Sequence, residues 1–237
     1  MKKIFFAGDS ICYHYDITRY PQAGIVQGLA LYIKQEFKVF NHAMGGRSTK
    51  SYIEEGRLDA IAEEIETGDF LFIKFGHNDE KKEDPERYTD PFGSYKDNLK
   101  KYIDVARKVG AIPILVTPLE RRNFLDAWKL GPSAHADYVA GMKEVASEEG
   151  VALIDLYTKS RNLMEEAGSV ETTKWFMHIE KGKYPPYLEG IVDNTHINHT
   201  GAVIFAGAIA EGLQELGGVY AELLVDGIGV VVEKKRN

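Results

Sequence analysis

Three side chains, at two widely separated places along the chain, are of the types that acyl transfer requires. Ser10 follows Gly8 and Asp9 in "FAGDS". A serine hydroxyl becomes a nucleophile at neutral pH only when a base takes its proton and a third group orients that base. The string "DNTHINHTGA" offers both groups, because Asp193 precedes His196 by three residues. Within a single turn, that spacing lets the carboxylate accept a hydrogen bond from one imidazole nitrogen while the other faces the serine. The chemistry also needs donors aimed at the charge that develops on the carbonyl oxygen. Ser10 N–H, Gly46 N–H and the side-chain amide of Asn78 are the candidates. Gly46 has no Cβ, so its backbone can approach an acyl group closely.

Positioning these groups falls to five short apolar runs, "KIFFA", "FKVFNHA", "DFLFIKFG", "AIPILVTP" and "VALIDL", which read as strands buried on both faces. Between them, "GIVQGLALYIKQE", "SYIEEGRLDAIAEEIE", "YKDNLKKYIDVARKVG" and "AHADYVAGMKEVASEEG" carry apolar residues at three- and four-residue spacing, the pattern of amphipathic helices. Alternating strands and helices predict a five-stranded parallel sheet with helices on both faces. Ligands of such sheets bind beyond the carboxyl ends of the strands. Ser10 follows the first strand, Gly46 the second and Asn78 the third. Longer connections are expected at about 80–94 and 118–133, with an irregular segment at 170–192 before a closing helix. The tail "VYAELLVDGIGVVVEKKRN" places β-branched runs on both sides of Asp226-Gly227, a hairpin signal over 219–235. That hairpin could make a homodimer contact or cover a sheet edge.

The chain has 237 residues, 44% of them hydrophobic and 27% charged, which suits one α/β domain spanning the whole length. A formal charge of -7 disfavours a nucleic-acid partner. The most apolar stretch, "GAVIFAGAIAEGLQELGG", is broken by Glu211 and Gln214, so no membrane span is expected. The opening "KKIFFAGDSI" imitates a secretory leader. A leader needs about 7–15 apolar residues, and Asp9 interrupts this run, so a buried strand ending in a tight turn is expected instead. The single cysteine, Cys12, cannot close an internal disulfide, which together with the missing leader points to the cytoplasm. Cys12 is read as a small buried hydrophobe rather than a nucleophile.

Each motif has a plainer reading. A serine after a strand commonly caps a helix or forms a turn, and Asp193 and Thr195 could cap the closing helix. His199, three residues after His196, lacks a third partner at metal-ligand spacing, and no cofactor is expected. The joint occurrence of these motifs, in order and at separate strand or helix ends, favours the catalytic reading.

The blocks "FAGDS", Gly46, "GHND" and "DNTH" resemble those of the SGNH (GDSL-like) hydrolases. The longer strings "NHAMGGRSTKSY", "EEGR" and "DNTHINHTGA" bring the rhamnogalacturonan acetylesterases closest. The resemblance covers about residues 3–216. It implies a three-layer α/β/α flavodoxin-like sandwich, a Ser10–His196–Asp193 triad, an oxyanion hole of Ser10, Gly46 and Asn78, no metal, and removal of acetyl groups from pectin-derived oligosaccharides. Cys12 and the 219–235 tail depart from the family pattern.

Asp9, Arg47, His77, Trp175 and Tyr187 are the candidate substrate contacts. Arg47 is favoured among five cations (with Lys50, Arg121, Arg122 and Lys183) that could meet the carboxylates of an acidic sugar. Trp175, Phe176, Tyr184 and Tyr187 could stack on sugar rings or fill the core, and His77 is read as framework beside Asn78. Competing functions are an esterase for acetylated xylo-oligosaccharides, a lysophospholipase or thioesterase, a non-catalytic carbohydrate binder, and a nucleotide binder. The last lacks a glycine-rich phosphate loop.

Overall fold

In the computed structural model, which describes residues 2–227, the five apolar runs form β1 (Lys3–Gly8), β2 (Lys38–Asn41), β3 (Phe70–Lys74), β4 (Ile112–Val116) and β5 (Ala152–Ile154). They lie in one parallel sheet in the order β2-β1-β3-β4-β5. Both sheet faces are covered, which is why the strands are apolar throughout rather than alternating. Ile4, Phe6, Phe70 and Phe72 point into one core layer; Phe5, Ala7, Leu71 and Ile73 point into the other.

The first layer is closed by α1 (Ile25–Leu29), α6 (Leu156–Glu171) and α7 (His199–Leu216), through Ile25, Leu29, Met164, Phe205, Ile209 and Leu213. The second is closed by α2 (Thr49–Glu54), α3 (Arg57–Glu64), α4 (Ser94–Val109) and α5 (Ala136–Glu149), through Tyr52, Ile61, Tyr102 and Met142. Burial of each such side chain contributes roughly 1.5–3 kcal/mol, so the two layers hold the sheet between them. The chain leaves β1 toward one sheet edge and returns at β3 toward the other. The carboxyl ends of β1 and β3 are therefore the switch point where open α/β sheets bind ligands.

Several elements differ from the sequence-based expectation. The helix expected over 24–36 stops at Leu29, because the residues after it pair with the chain's far end. Lys34 N–H donates to Leu223 O and Val225 N–H to Tyr32 O, at 2.9 Å each. The stretch expected as one helix from 51 is two, α2 and α3, divided at Gly56 with φ of 71°. Helix α6 was not anticipated. Its buried face carries Ser160, which receives the Glu120 N–H, and that polar residue interrupts the apolar period.

The expected irregular segment before the last helix contains two strands, β6 (Phe176–Ile179) and β7 (Ile191–Ile197), paired antiparallel. Of the expected hairpin over 219–235, the second run lies outside the described residues. The first run is not a strand at its start. Gly218–Ala221 form the short helix α8, and Leu224 then bridges to Ile33.

Helices α1 and α7 meet at Gly28, where a Cβ would lie 2.3 Å from Ala202 O. Gly28→Ala must push the two apart, and is expected to lower the unfolding free energy by about 1–3 kcal/mol. A lower urea midpoint at unchanged m-value is the readout; an unmoved midpoint would show that the two helices separate freely.

Candidate active site

Strand β1 ends in a tight turn built by Asp9. Its carboxylate accepts the Ile11 N–H at 2.9 Å, and its carbonyl accepts the N–H groups of Cys12 and Tyr13 at 3.1 Å each. The turn leaves Ser10 partly exposed at the carboxyl end of the sheet while Ile11 and Cys12 return to the core. Burial pushes the Cys12 thiol up to about 12, so it is an inert packing residue.

Asp193 and His196 come from β7 rather than from a loop turn. The pairing of β6 with β7 breaks register, so that Phe176 faces Ile197 while the next residue, Met177, faces Asp193. Residues 194–196 are looped out between these pairs as a bulge, and bulges commonly re-aim a side chain. Asp193 Oδ1 accepts the N–H groups of Thr195 (2.7 Å) and His196 (3.0 Å), and this tight bend lets residues three apart meet within a strand.

The other carboxylate oxygen lies 2.7 Å from His196 Nδ1, and His196 Nε2 lies 3.1 Å from Ser10 Oγ across 186 residues of sequence. A carboxylate can only accept, so Nδ1 carries the proton and Nε2 is free to accept from the serine hydroxyl. Burial would raise the Asp193 carboxyl, but hydrogen bonds from the His196 ring and from backbone N–H groups outweigh it and hold it at about 2. Beyond His196, Ala23 N–H donates to Ile197 O and His199 N–H to Pro21 O, both at 3.1 Å. These bonds stitch the end of β7 to the chain that follows Ser10. The closing helix α7 is capped by Asn198, not by Asp193 or Thr195.

Gly46 follows β2 with φ of 78°, a left-handed turn that favours glycine, and lines the same cleft as Ser10 and Asn78. Among the described residues, no acceptor meets the N–H of Ser10 or Gly46. Asn78 is 4% exposed and donates one Nδ2 hydrogen to Arg47 O at 3.0 Å, which leaves the second hydrogen unassigned. The next residue anchors this loop. Asp79 Oδ1 accepts from Thr49 N (3.0 Å), Thr49 Oγ1 (2.5 Å) and Thr89 Oγ1 (2.9 Å).

Of the five expected substrate contacts, the structure brings only His77 and Tyr187 to the cleft, which measures about 470 Å³. Asp9 is fully buried. Its carboxylate receives Lys74 Nζ on both oxygens at 3.1 Å, so it is structural rather than exposed to ligand. Arg47 turns back on its own chain, with Nε on the Glu55 carboxylate at 3.0 Å and Nη1 on Gly45 O at 2.8 Å. Trp175 is 8% exposed and packs edge-on to Phe205 beneath α7.

Tyr187 donates to Gln22 Oε1 at 3.0 Å at the rim. His77 Nδ1 accepts from Lys74 Nζ at 3.0 Å. Burial, and then the neighbouring Lys74 and His135, push the pKa of His77 well down, so its ring is neutral. Among the other basic candidates, Arg121 reaches the cleft and also donates to Thr195 Oγ1 at 3.2 Å, whereas Arg122 grips the Asn194 side chain at 3.1 Å.

Sequence reasoning missed Lys74, Arg19, Lys81 and Arg87. Lys74 carries a signal, a lone charge ending an otherwise apolar buried strand. The other three come from loops whose approach to the cleft is set by the fold. With Arg121 they place four cations in the cleft lining, two of them paired with carboxylates, Arg87 with Asp84 and Arg121 with Glu80. No cluster of three or more His, Cys, Asp or Glu side chains suited to a metal occurs among the described residues, and no described helix is long and apolar enough to cross a membrane.

Burial pushes the Asp79 carboxyl up to about 7, against the opposing hydrogen bonds from Thr49 and Thr89, from an ordinary value of 3.8. The folded state therefore binds an extra proton between those values, and this group's contribution to stability falls as pH rises through that window. Asp79→Asn removes the dependence. The variant is expected to gain on the wild type between about pH 4 and pH 8, by on the order of 1–4 kcal/mol at the upper end. Urea unfolding of both proteins across that range is the check, and a constant difference would show Asp79 ionised throughout.

The family model described as "GDSL-like Lipase/Acylhydrolase family" matches residues 6–204. The chain is 41% identical over 223 residues to the probable rhamnogalacturonan acetylesterase YesY of Bacillus subtilis (strain 168), covering 94% of this chain and 97% of that protein. It is 40% identical over 220 residues to the rhamnogalacturonan acetylesterase RhgT of the same organism, covering 92% and 93%. The crystal structure of Bacillus subtilis YxiM superposes with a TM-score of 0.76 at 27% identity, over 92% of this chain and 57% of that one. A family match over most of the sequence and two near-full-length relatives accord with the site at the switch point of the sheet: the chain belongs to the GDSL-like lipase/acylhydrolase family.

Proposed function

We propose that this esterase removes acetyl groups from acetylated rhamnogalacturonan oligosaccharides through an acetyl-serine intermediate. The observation that carries the chemistry is the single hydrogen-bonded line from Ser10 Oγ through the His196 ring to the Asp193 carboxylate. In this mechanism Ser10 Oγ attacks the acetyl carbonyl while His196 Nε2 takes its proton. Asp193, ionised above about pH 2, fixes the ring tautomer and stabilises the imidazolium. The developing oxyanion is met by Ser10 N–H, Gly46 N–H and the second Nδ2 hydrogen of Asn78. His196 then protonates the departing sugar oxygen. A water molecule repeats the attack with His196 as base and releases acetate.

The substrate class is supported by the names of the two relatives and by the cleft itself. Rhamnogalacturonan carries uronate carboxylates, and Arg19, Lys81 and Arg121 bring positive charge to the cleft that suits them. Met177 and Ile191 are the aliphatic side chains in its lining. A long acyl chain would have to desolvate the cationic groups around it, so acetyl is favoured over longer acids.

Ser10→Ala is expected to lower hydrolysis of p-nitrophenyl acetate by at least about 10³-fold with an unchanged circular dichroism spectrum; near-normal turnover would remove Ser10 from the reaction. Acetyl esters are expected to exceed octanoyl esters steeply, and acetate release from acetylated rhamnogalacturonan oligosaccharides to exceed that from acetylated xylo-oligosaccharides. Octanoyl turnover equal to acetyl would overturn the acyl assignment, and a preference for xylo-oligosaccharides would overturn the sugar assignment.

A further inference from the structure

The Asn78 side chain is held at both ends, and neither of its holders belongs to the four sequence blocks. Nδ2 donates to Arg47 O at 3.0 Å, and Arg87 Nη1 lies 3.4 Å from Oδ1. The same guanidinium nitrogen lies beside the second expected oxyanion donor, since a Cβ built on Gly46 would be 4.0 Å from it. Arg87 is itself fixed. Its Nε donates to Asp84 Oδ2 at 2.6 Å, and its N–H to Asp84 O at 3.0 Å. Two residues on, Thr89 is bound to Asp79 through both its N–H (3.1 Å) and its hydroxyl (2.9 Å).

We propose that Arg87 is a positioning residue for catalysis, whose Nη1 fixes the Asn78 amide in the one orientation that leaves an Nδ2–H for the oxyanion. An asparagine amide has two orientations related by a half-turn, nearly equal in shape and opposite in polarity. In the observed one, Oδ1 faces a cation and Nδ2 faces a carbonyl. In the other, Nδ2 faces the guanidinium and Oδ1 faces Arg47 O, so both contacts become repulsive and the cleft is offered an amide with no aligned donor. The charge on Arg87 also polarises the amide it touches, which strengthens the remaining N–H as a donor. Asp84 keeps the guanidinium from swinging toward substrate.

The proposal rests on Asn78 being an oxyanion donor, and the experiment separates the two ideas. Kinetics on neutral p-nitrophenyl acetate are measured for Asn78→Ala, Arg87→Met, Arg87→Lys and the Asn78→Ala/Arg87→Met double variant, with thermal melts for each. Arg87→Met is expected to lower kcat about 10-fold with KM within twofold, a smaller loss than the roughly 10²–10³ for deleting a donor outright. Arg87→Lys, which keeps a donor to Oδ1, is expected to recover at least part of the loss. On the Asn78→Ala background Arg87→Met is expected to have no further effect, because the group it acts through is gone. Asp84→Asn, which leaves the guanidinium in place but loosens it, is expected to show the same coupling at smaller size, and serves if Arg87→Met does not fold.

Unchanged kcat in Asn78→Ala would remove Asn78 from the oxyanion hole and the proposal with it. A full loss in Asn78→Ala with none in Arg87→Met, or an undiminished 10-fold loss on the Asn78→Ala background, would overturn the role of Arg87 alone. So would a defect confined to KM on uronate-bearing substrates, which would assign the guanidinium to a substrate carboxylate.

Discussion

The carboxyl end of the sheet is held by one buried ion pair. Asp9 ends β1 and Lys74 ends β3; both are out of water, and the Lys74 ammonium bonds both Asp9 oxygens and the His77 ring. Removing one partner of such a pair leaves an uncompensated charge in a low-dielectric interior, at a cost of about 3–5 kcal/mol. The pair therefore fixes the ends of β1 and β3 relative to each other more firmly than ladder hydrogen bonds alone. Burial by itself would raise the Asp9 carboxyl, but the Lys74 ammonium, helped by the Ile11 N–H, outweighs it and holds it far below the ordinary value. Its contribution to stability is accordingly complete above that ordinary value and is lost only as the pH falls toward the depressed one.

That constraint reaches the chemistry through short lengths of chain. The same Asp9 carboxylate accepts the Ile11 N–H and so shapes the turn that presents Ser10. Four residues beyond Lys74 lies Asn78, with Asp79 anchored to Thr49 and Thr89. Ser10 and Asn78 thus diverge from a common charged hinge, and neither depends on a long loop for its position.

The opposite wall is assembled differently. Strand β7 belongs to no part of the main sheet, and is held by β6, by the bonds from Ala23 and His199, and by the side chains of Arg121 and Arg122. Its bulge turns His196 toward Ser10 and gives Asp193 three hydrogen-bond donors. The cleft also gathers cations on a chain whose formal charge is -7: Arg19 and Lys81 line it beside Arg87 and Arg121, the last two paired with Asp84 and Glu80.

Features encoded by short-range physics are legible in the residues alone. The five buried strands declare themselves as apolar runs, the helices α4 and α5 by their period and terminal glycines, Ser10, Gly46 and Asn78 by type and place after strands, and Asp193 and His196 by type and spacing. Strand β7 and its bulge were hidden because Asp193 and His196 at a spacing of three look like a turn, and the register break that joins them is set by pairing with β6. The early end of α1 depends on the segment around Leu223, nearly two hundred residues away. Side-chain destinations were least legible. Arg47 sits beside Gly46 in sequence yet is captured by Glu55, while Arg19, Lys81 and Arg87 enter the cleft from elsewhere. A long cationic side chain goes to whichever carboxylate the folded backbone brings within reach, which the residues flanking it in sequence do not specify.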